Sequence, residues 1–151
     1  MNYDAPAFDT FDPEIAAAMI RMNAKIGGLP AFLGASLDRY EPGKLFASME
    51  VGEAHLTPMG AIHGGVMAGF VDHVLGCVLY PLMQKGQWAA TTEFKLNYLA
   101  AVKAGRLEAE SSVISFGKRA AVVRVEVANG SRLCCTAQGT LIVSAPPSAQ
   151  V

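Results

Sequence analysis

An α+β domain, with an antiparallel sheet wrapped around one long central helix, is the fold this sequence predicts, and three observations predict it. A nearly unbroken apolar run opens at Gly64-Gly65, continues from Val66 to Met83, and carries one carboxylate, Asp72; it suits a helix that is hydrophobic all round and therefore buried. After Gln84-Lys85-Gly86-Gln87 the period turns from helical to alternating, with Thr92, Phe94, Leu96 and Tyr98 set against Glu93, Lys95 and Asn97, as a half-buried strand requires. Further strand-like segments then follow across short turn signals, of which Asn129-Gly130 is the strongest.

Taken in order, the chain begins with a loose extension and a short amphipathic helix. Asp12 can cap it, Pro13 suits its first position, Glu14 favours its positive end, and Gly27-Gly28 stop it. Its stripe of Ile15, Met19, Met22 and Ile26 reads as core. A hairpin over 35–40 and 44–51 turns at Glu41-Pro42-Gly43, and a loop over 52–62 leads to the central helix. Strands are expected over 91–99, 106–116, 120–128 and 132–143, with a turn at Gly117-Lys118-Arg119. Ala145-Pro146-Pro147-Ser148 cannot continue a central strand. The domain reading is therefore an N-terminal extension and short helix over 1–34, the main domain over 35–144 and a flexible tail over 145–151.

Composition bounds the function. At 151 residues, 52% apolar and 17% charged, the chain suits one domain with a real core. A net charge of −1 gives no global attraction to nucleic acid or to an anionic membrane, so neither is expected as a partner. Three cysteines, Cys77, Cys134 and Cys135, make a poor disulfide framework, and the adjacent pair should point to opposite faces of a strand. With no secretory pattern over 1–11, a cytoplasmic location fits. The run over 66–83 is long enough to raise a membrane span, but Asp72, His73 and Pro81 argue for a buried soluble helix. No spacing of His and Cys suggests a metal site, and no Gly-rich dinucleotide fingerprint occurs.

Asp72 has Ala68, Gly69, Leu75 and Gly76 as its helical neighbours, so a ligand or a partner backbone has room beside it. The first amides of the helix, at Gly64 and Gly65, are free donors at the positive end of the dipole and can hold an oxyanion. Asp72 lies roughly 12 Å along the axis from Gly64. The two cannot touch one small carbonyl within a chain, and any joint chemistry needs two copies packed about a two-fold axis. His63, just ahead of the helix, is by itself more often a packed, hydrogen-bonded residue than a base, and His73, about 100° around the wheel from Asp72, reads as structural. Met67, Phe70, Leu75 and Met83 could line an apolar pocket, although such residues are more often plain core.

His63-Gly64-Gly65 with an acid at Asp72, the preceding Gly60, the strand over 91–99 and the Phe116-Gly117-Lys118 turn together resemble the hotdog-fold acyl-coenzyme A thioesterases of the phenylacetate-pathway type. The resemblance covers about residues 35–143. It implies a hotdog dimer, usually paired into a homotetramer, with active sites at the subunit interface. Asp72 would be the general base or nucleophile at the thioester carbonyl. Gly64, with Gly65, would supply backbone donors from the neighbouring subunit, His63 would orient that loop, and Thr91 would help place the attacking water. Thr57 stands where many relatives carry an asparagine, so that role is lost or is covered by Thr57 or His55. Lys118 and Arg119, next to Gly117, would meet the phosphates of coenzyme A, with two solvated turn charges as the alternative. Coenzyme A would belong to the substrate, and no cofactor is implied. The expected reaction is hydrolysis of an acyl-coenzyme A thioester. The competing readings are a non-hydrolytic acyl-thioester binding protein and a dehydratase or hydratase on the same fold.

Overall fold

The computed structural model describes residues 8–144. Asp12 caps α1 (Pro13–Asn23) by accepting the Glu14 and Ile15 amides at 2.8 and 3.2 Å. The chain then builds α2 (Gly28–Leu33), β1 (Ser36–Glu41), β2 (Lys44–Val51), α3 (Gly64–Cys77), β3 (Trp88–Tyr98), β4 (Gly105–Phe116), β5 (Ala120–Asn129) and β6 (Arg132–Ser144). All six strands join one antiparallel sheet in the order β1-β2-β4-β5-β6-β3. The fold is α+β, a sheet curled around α3.

The alternation of each strand explains the packing. Leu45, Ala47 and Met49 of β2, Leu107, Ala109 and Val113 of β4, Val123, Val125 and Val127 of β5 and Leu141 of β6 are buried on the inner face. They close on Met67, Phe70, Val71, Val74 and Leu75 of α3. Met67, Phe70, Leu75 and Met83 are thus core and not pocket lining. Removing this much apolar surface from water is the main term favouring the fold. The stretch Gly64–Leu82 is long and apolar enough to cross a membrane by length and composition, and more than half of it is packed inside this sheet.

Several expectations are corrected. The central helix ends at Cys77, and a single 3-10 turn, Tyr80–Leu82, follows; Pro81 has no N–H to give and restricts Tyr80 before it. That helix is not buried all round, since Gly65 and Asp72 are exposed. Gly27-Gly28 end one helix and open a second, α2, with Gly28 at φ +72° making the turn and Pro30 in the first turn. The apolar stripe of α1 does not all enter the core, for Met22 and Ile26 are 64% and 49% exposed. The loop over 52–62 contains a short 3-10 turn, Glu53–His55.

Two bulges decide which side chains face inward. In β3, Thr91 pairs with Leu141 and Glu93 with Thr140, so Thr92 is the extra residue. Thr92, expected on the face of Phe94, is exposed and donates its hydroxyl to the Thr140 carbonyl at 2.9 Å, and Thr91 turns inward instead. In β6 the register slips between Cys135 and Leu133, and Cys134 is the extra residue. Both thiols are consequently buried and free, where simple alternation would expose one.

Gly139 lies opposite Phe94 beside the first bulge. A Cβ there would stand 2.7 Å from the Phe94 Cβ, 2.8 Å from the Glu93 carbonyl oxygen and 3.3 Å from Leu75. Gly139→Ala is expected to cost about 1–3 kcal/mol by overpacking, read as a lower urea midpoint at unchanged m-value.

Candidate active site

The start of α3 is held by a stitched loop. His55 is buried, accepts the Gly52 N–H on Nδ1 at 3.1 Å, and lies with Nε2 3.3 Å from the Phe32 carbonyl. Its carbonyl accepts the His63 N–H at 2.8 Å, and the Ile62 N–H reaches the Val102 carbonyl at 2.7 Å. Both ring nitrogens of His55 are therefore spent on structure. Thr57 closes its own turn: its hydroxyl accepts the Met59 N–H at 3.3 Å and its carbonyl accepts the Gly60 N–H at 2.9 Å, with Gly60 at φ +74°.

His63 is the N-cap, at φ −68° and ψ 135°. Its Nδ1 accepts the Gly65 N–H at 2.9 Å, and its carbonyl accepts those of Val66 and Met67 at 3.0 and 3.2 Å. An accepting Nδ1 places the ring proton of neutral His63 on Nε2. The first-turn amides are thus divided: among the described residues only the Gly64 N–H of this turn has no acceptor. The Tyr98 hydroxyl at the far end of β3 donates to the Gly64 carbonyl at 2.8 Å, and a Cβ on Gly64 would sit 2.9 Å from that oxygen. A free N–H at the positive end of a helix is suited to an oxyanion.

Asp72 opens onto a cavity of about 530 Å³ between α1, α3 and the start of β3. Met19, Met22, Ile26 and Pro30 give it an apolar wall, and Asp72, Thr91, His73 and Asn23 supply its polar groups. The β3 bulge is what brings Thr91 here. His73 Nε2 is 3.0 Å from Asn23 Oδ1, and Asn23 Nδ2 donates to the Ala35 carbonyl at 2.7 Å. Burial lowers the His73 pKa, against the opposing pull of Asp72, so the neutral imidazole with Nε2–H is the form that donates to Asn23. Burial pushes the Cys77 thiol up to about 12, which removes it as a nucleophile at neutral pH. A carboxylate and a hydroxyl facing an apolar cavity can orient and deprotonate a water against a bound carbonyl.

Gly117, Lys118 and Arg119 form the exposed β4–β5 turn, closed by the Gly117 N–H to the Ala120 carbonyl at 2.9 Å. Lys118 borders a second cavity of about 550 Å³ with Thr10, Gln84 and Gln87. Neither cation has an acidic partner among the described residues. The Arg119 carbonyl accepts the Val143 N–H beside the start of β3, whereas Gly64 is tied to Tyr98 at its end. Eleven residues of strand separate them, roughly 30 Å. One chain therefore brings Asp72 together with Thr91, groups His63, Gly64, Gly65 and Thr57 at the start of α3, and leaves Lys118 and Arg119 at the opposite end of the sheet.

The sequence profile of the thioesterase superfamily matches residues 59–136, more than half of the chain and inclusive of all of α3. The chain belongs to this superfamily. Relatives of this thioesterase-superfamily member include a Saccharolobus solfataricus protein that carries an esterase name, 34% identical over 74% of this chain and 75% of the relative. Human acyl-coenzyme A thioesterase 13 is 28% identical over 65% and 70%, and the 1,4-dihydroxy-2-naphthoyl-CoA hydrolase of Listeria monocytogenes is 26% identical over 77% and 95%. In structure it is similar to the thioesterase HI1161 of Haemophilus influenzae, with a TM-score of 0.81, 19% identity and coverage of 90% and 94%. A phenylacetic acid degradation-related protein of Ralstonia eutropha gives 0.78, 22%, 85% and 98%. These likenesses establish the hotdog fold.

Sequence reasoning missed the Asn23–His73 pair, the exposed Met22 and Ile26, and the Tyr98 contact on Gly64. Spacing carries a trace of only one of them: His73 follows Asp72, so whatever holds His73 also holds the acid's turn of helix. The others join elements far apart in the chain.

Proposed function

We propose that this superfamily member hydrolyses an acyl-coenzyme A thioester to the free acid and coenzyme A, at two sites shared across a homodimer. One observation carries the reading: the free Gly64 N–H, the Asp72–Thr91 pair and the Lys118–Arg119 turn lie apart in one chain along an edge strand, and antiparallel pairing of two copies through β3 would bring them together. That strand is the sheet's long open edge. The other edge, β1, is six residues, charged and bulged, as strands protected from pairing are. Antiparallel pairing sets the Tyr98 end of one β3 against the Trp88 end of the other. The free Gly64 N–H of one protomer then meets Asp72, Thr91, Lys118 and Arg119 of its partner.

In this arrangement Gly64 polarises the thioester carbonyl and Asp72 takes a proton from water as its oxygen bonds to the carbonyl carbon. The oxyanion rests on the Gly64 N–H; its collapse breaks the C–S bond, and the leaving thiolate recovers the proton from Asp72. Attack by the Asp72 carboxylate itself, with water opening the resulting anhydride, gives the same products. Lys118 and Arg119 meet the nucleotide phosphates as point charge and planar fork. The names of the human and Listeria relatives support coenzyme A as the thiol. Purified protein is expected to release free thiol from a panel of acyl-coenzyme A thioesters, scored with a thiol reagent. Binding of every member of the panel without release would refute hydrolysis.

A further inference from the structure

The cavity beside Asp72 is larger than a carboxylate and a water need, and its empty part has a direction. A Cβ on Gly76, one helical turn beyond Asp72, would meet no atom within 4 Å. Gly76, Cys77 and Tyr80 continue the lining away from the acid, and Met19, Met22 and Ile26 face them from α1 and the turn after it. Met22 and Ile26 are exposed apolar side chains on the cavity wall, and an apolar ligand would cover them. The wall is also fixed in place: Asn23, at the end of α1, is held by the Ala35 carbonyl on one side and by His73 on the other. Because His73 is next to Asp72 on α3, the same hydrogen bond sets the distance between the wall and the acid.

We propose that this lane receives the acyl chain of the thioester and selects extended apolar chains by length, with Gly76 as its floor, Met22 and Ile26 as its outer wall, and Asn23 and His73 as positioning residues that set its width. The proposal rests on the reading of Asp72 as the acid at the thioester carbonyl. The occupant is an apolar chain because Met19, Met22, Ile26 and Pro30 wall the lane, while Asn23 and His73 are engaged with each other and with the Ala35 carbonyl.

Calorimetry on the full chain with non-hydrolysable thioether analogues of hexanoyl- and decanoyl-coenzyme A separates the lane from the chemistry. For the unaltered protein the affinity should rise by up to about fourfold for each methylene added. Gly76→Leu, which suits a helix better than glycine does, is expected to cut the decanoyl-to-hexanoyl affinity ratio by about tenfold or more. Met22→Ala, at an exposed position, should lower the ratio to a smaller extent. Asn23→Leu should raise KM for decanoyl-coenzyme A more than for hexanoyl-coenzyme A, a split that a merely destabilising change would not produce. An unchanged ratio in both Gly76→Leu and Met22→Ala, with circular dichroism like that of the parent, overturns the proposal; if Gly76→Leu does not fold, Met22→Ala decides alone. Length-dependent analogue binding, with no thiol released from the corresponding hydrolysable thioesters, upholds the lane and refutes hydrolysis.

Discussion

Asp72→Asn is expected to lower kcat for thioester hydrolysis by about 10²–10⁴-fold, the range that general acid–base catalysis supplies. Asparagine has nearly the same shape, keeps an acceptor oxygen and cannot carry the proton taken from water. The test is clean because Asp72 is exposed and its carboxylate, beyond its pull on the adjacent His73 ring, makes no hydrogen bond or ion pair among the described residues. Stability should therefore stay within about 0.5 kcal/mol of the parent, and a thermal melt beside the thiol-release assay separates chemistry from folding. Full activity in a folded Asp72→Asn protein would take the acid out of the mechanism.

Gly64→Pro is expected to cost about 10²–10³-fold in kcat, the usual result of removing one oxyanion donor. Proline suits the first position of a helix, and His63 at φ −68° and ψ 135° already has the conformation that a residue before proline needs. The change thus deletes the one free N–H without rebuilding the turn. Gly64→Ala is the control: its Cβ presses on the same Tyr98 hydroxyl 2.9 Å away but the N–H stays, so most activity should survive. Mixing subunits then tests the shared site. Asp72→Asn and Gly64→Pro chains, unfolded together and refolded, should regain about a quarter of the parent activity, since half of the dimers are mixed and each holds one intact site of two. If each site belonged to a single chain, no activity would return.

The order of the elements and the separation of Gly64 from Asp72 were readable from the chain because they depend on local rules. Capping explains α1 from Asp12-Pro13-Glu14, two-fold alternation explains β4 to β6 outside their bulges, and the helical rise alone shows that Gly64 and Asp72 cannot meet on one carbonyl. The failures share a cause. Thr91 and Thr92 exchanged faces, and Cys134 went inward, because a bulge is set by the partner strand and leaves no mark in the alternation it interrupts. Met22 and Ile26 keep helical spacing whether core or cavity lies opposite, so the stripe of α1 could not say which.

By itself the sequence determined the order of elements, the core-facing side of most strands, and a helix that starts with paired glycines and carries one acid; each follows from periodicity and backbone preference over a few residues. Only the tertiary structure decided that His63 occupies the Gly65 amide and leaves that of Gly64 free, that Asn23 joins α1 to His73, and that β3 lies at the open edge. Those features are hydrogen bonds and pairings between distant segments, 50 residues apart for Asn23 and His73, or a choice among neighbouring donors settled by one side-chain rotamer, and short-range propensity does not encode either.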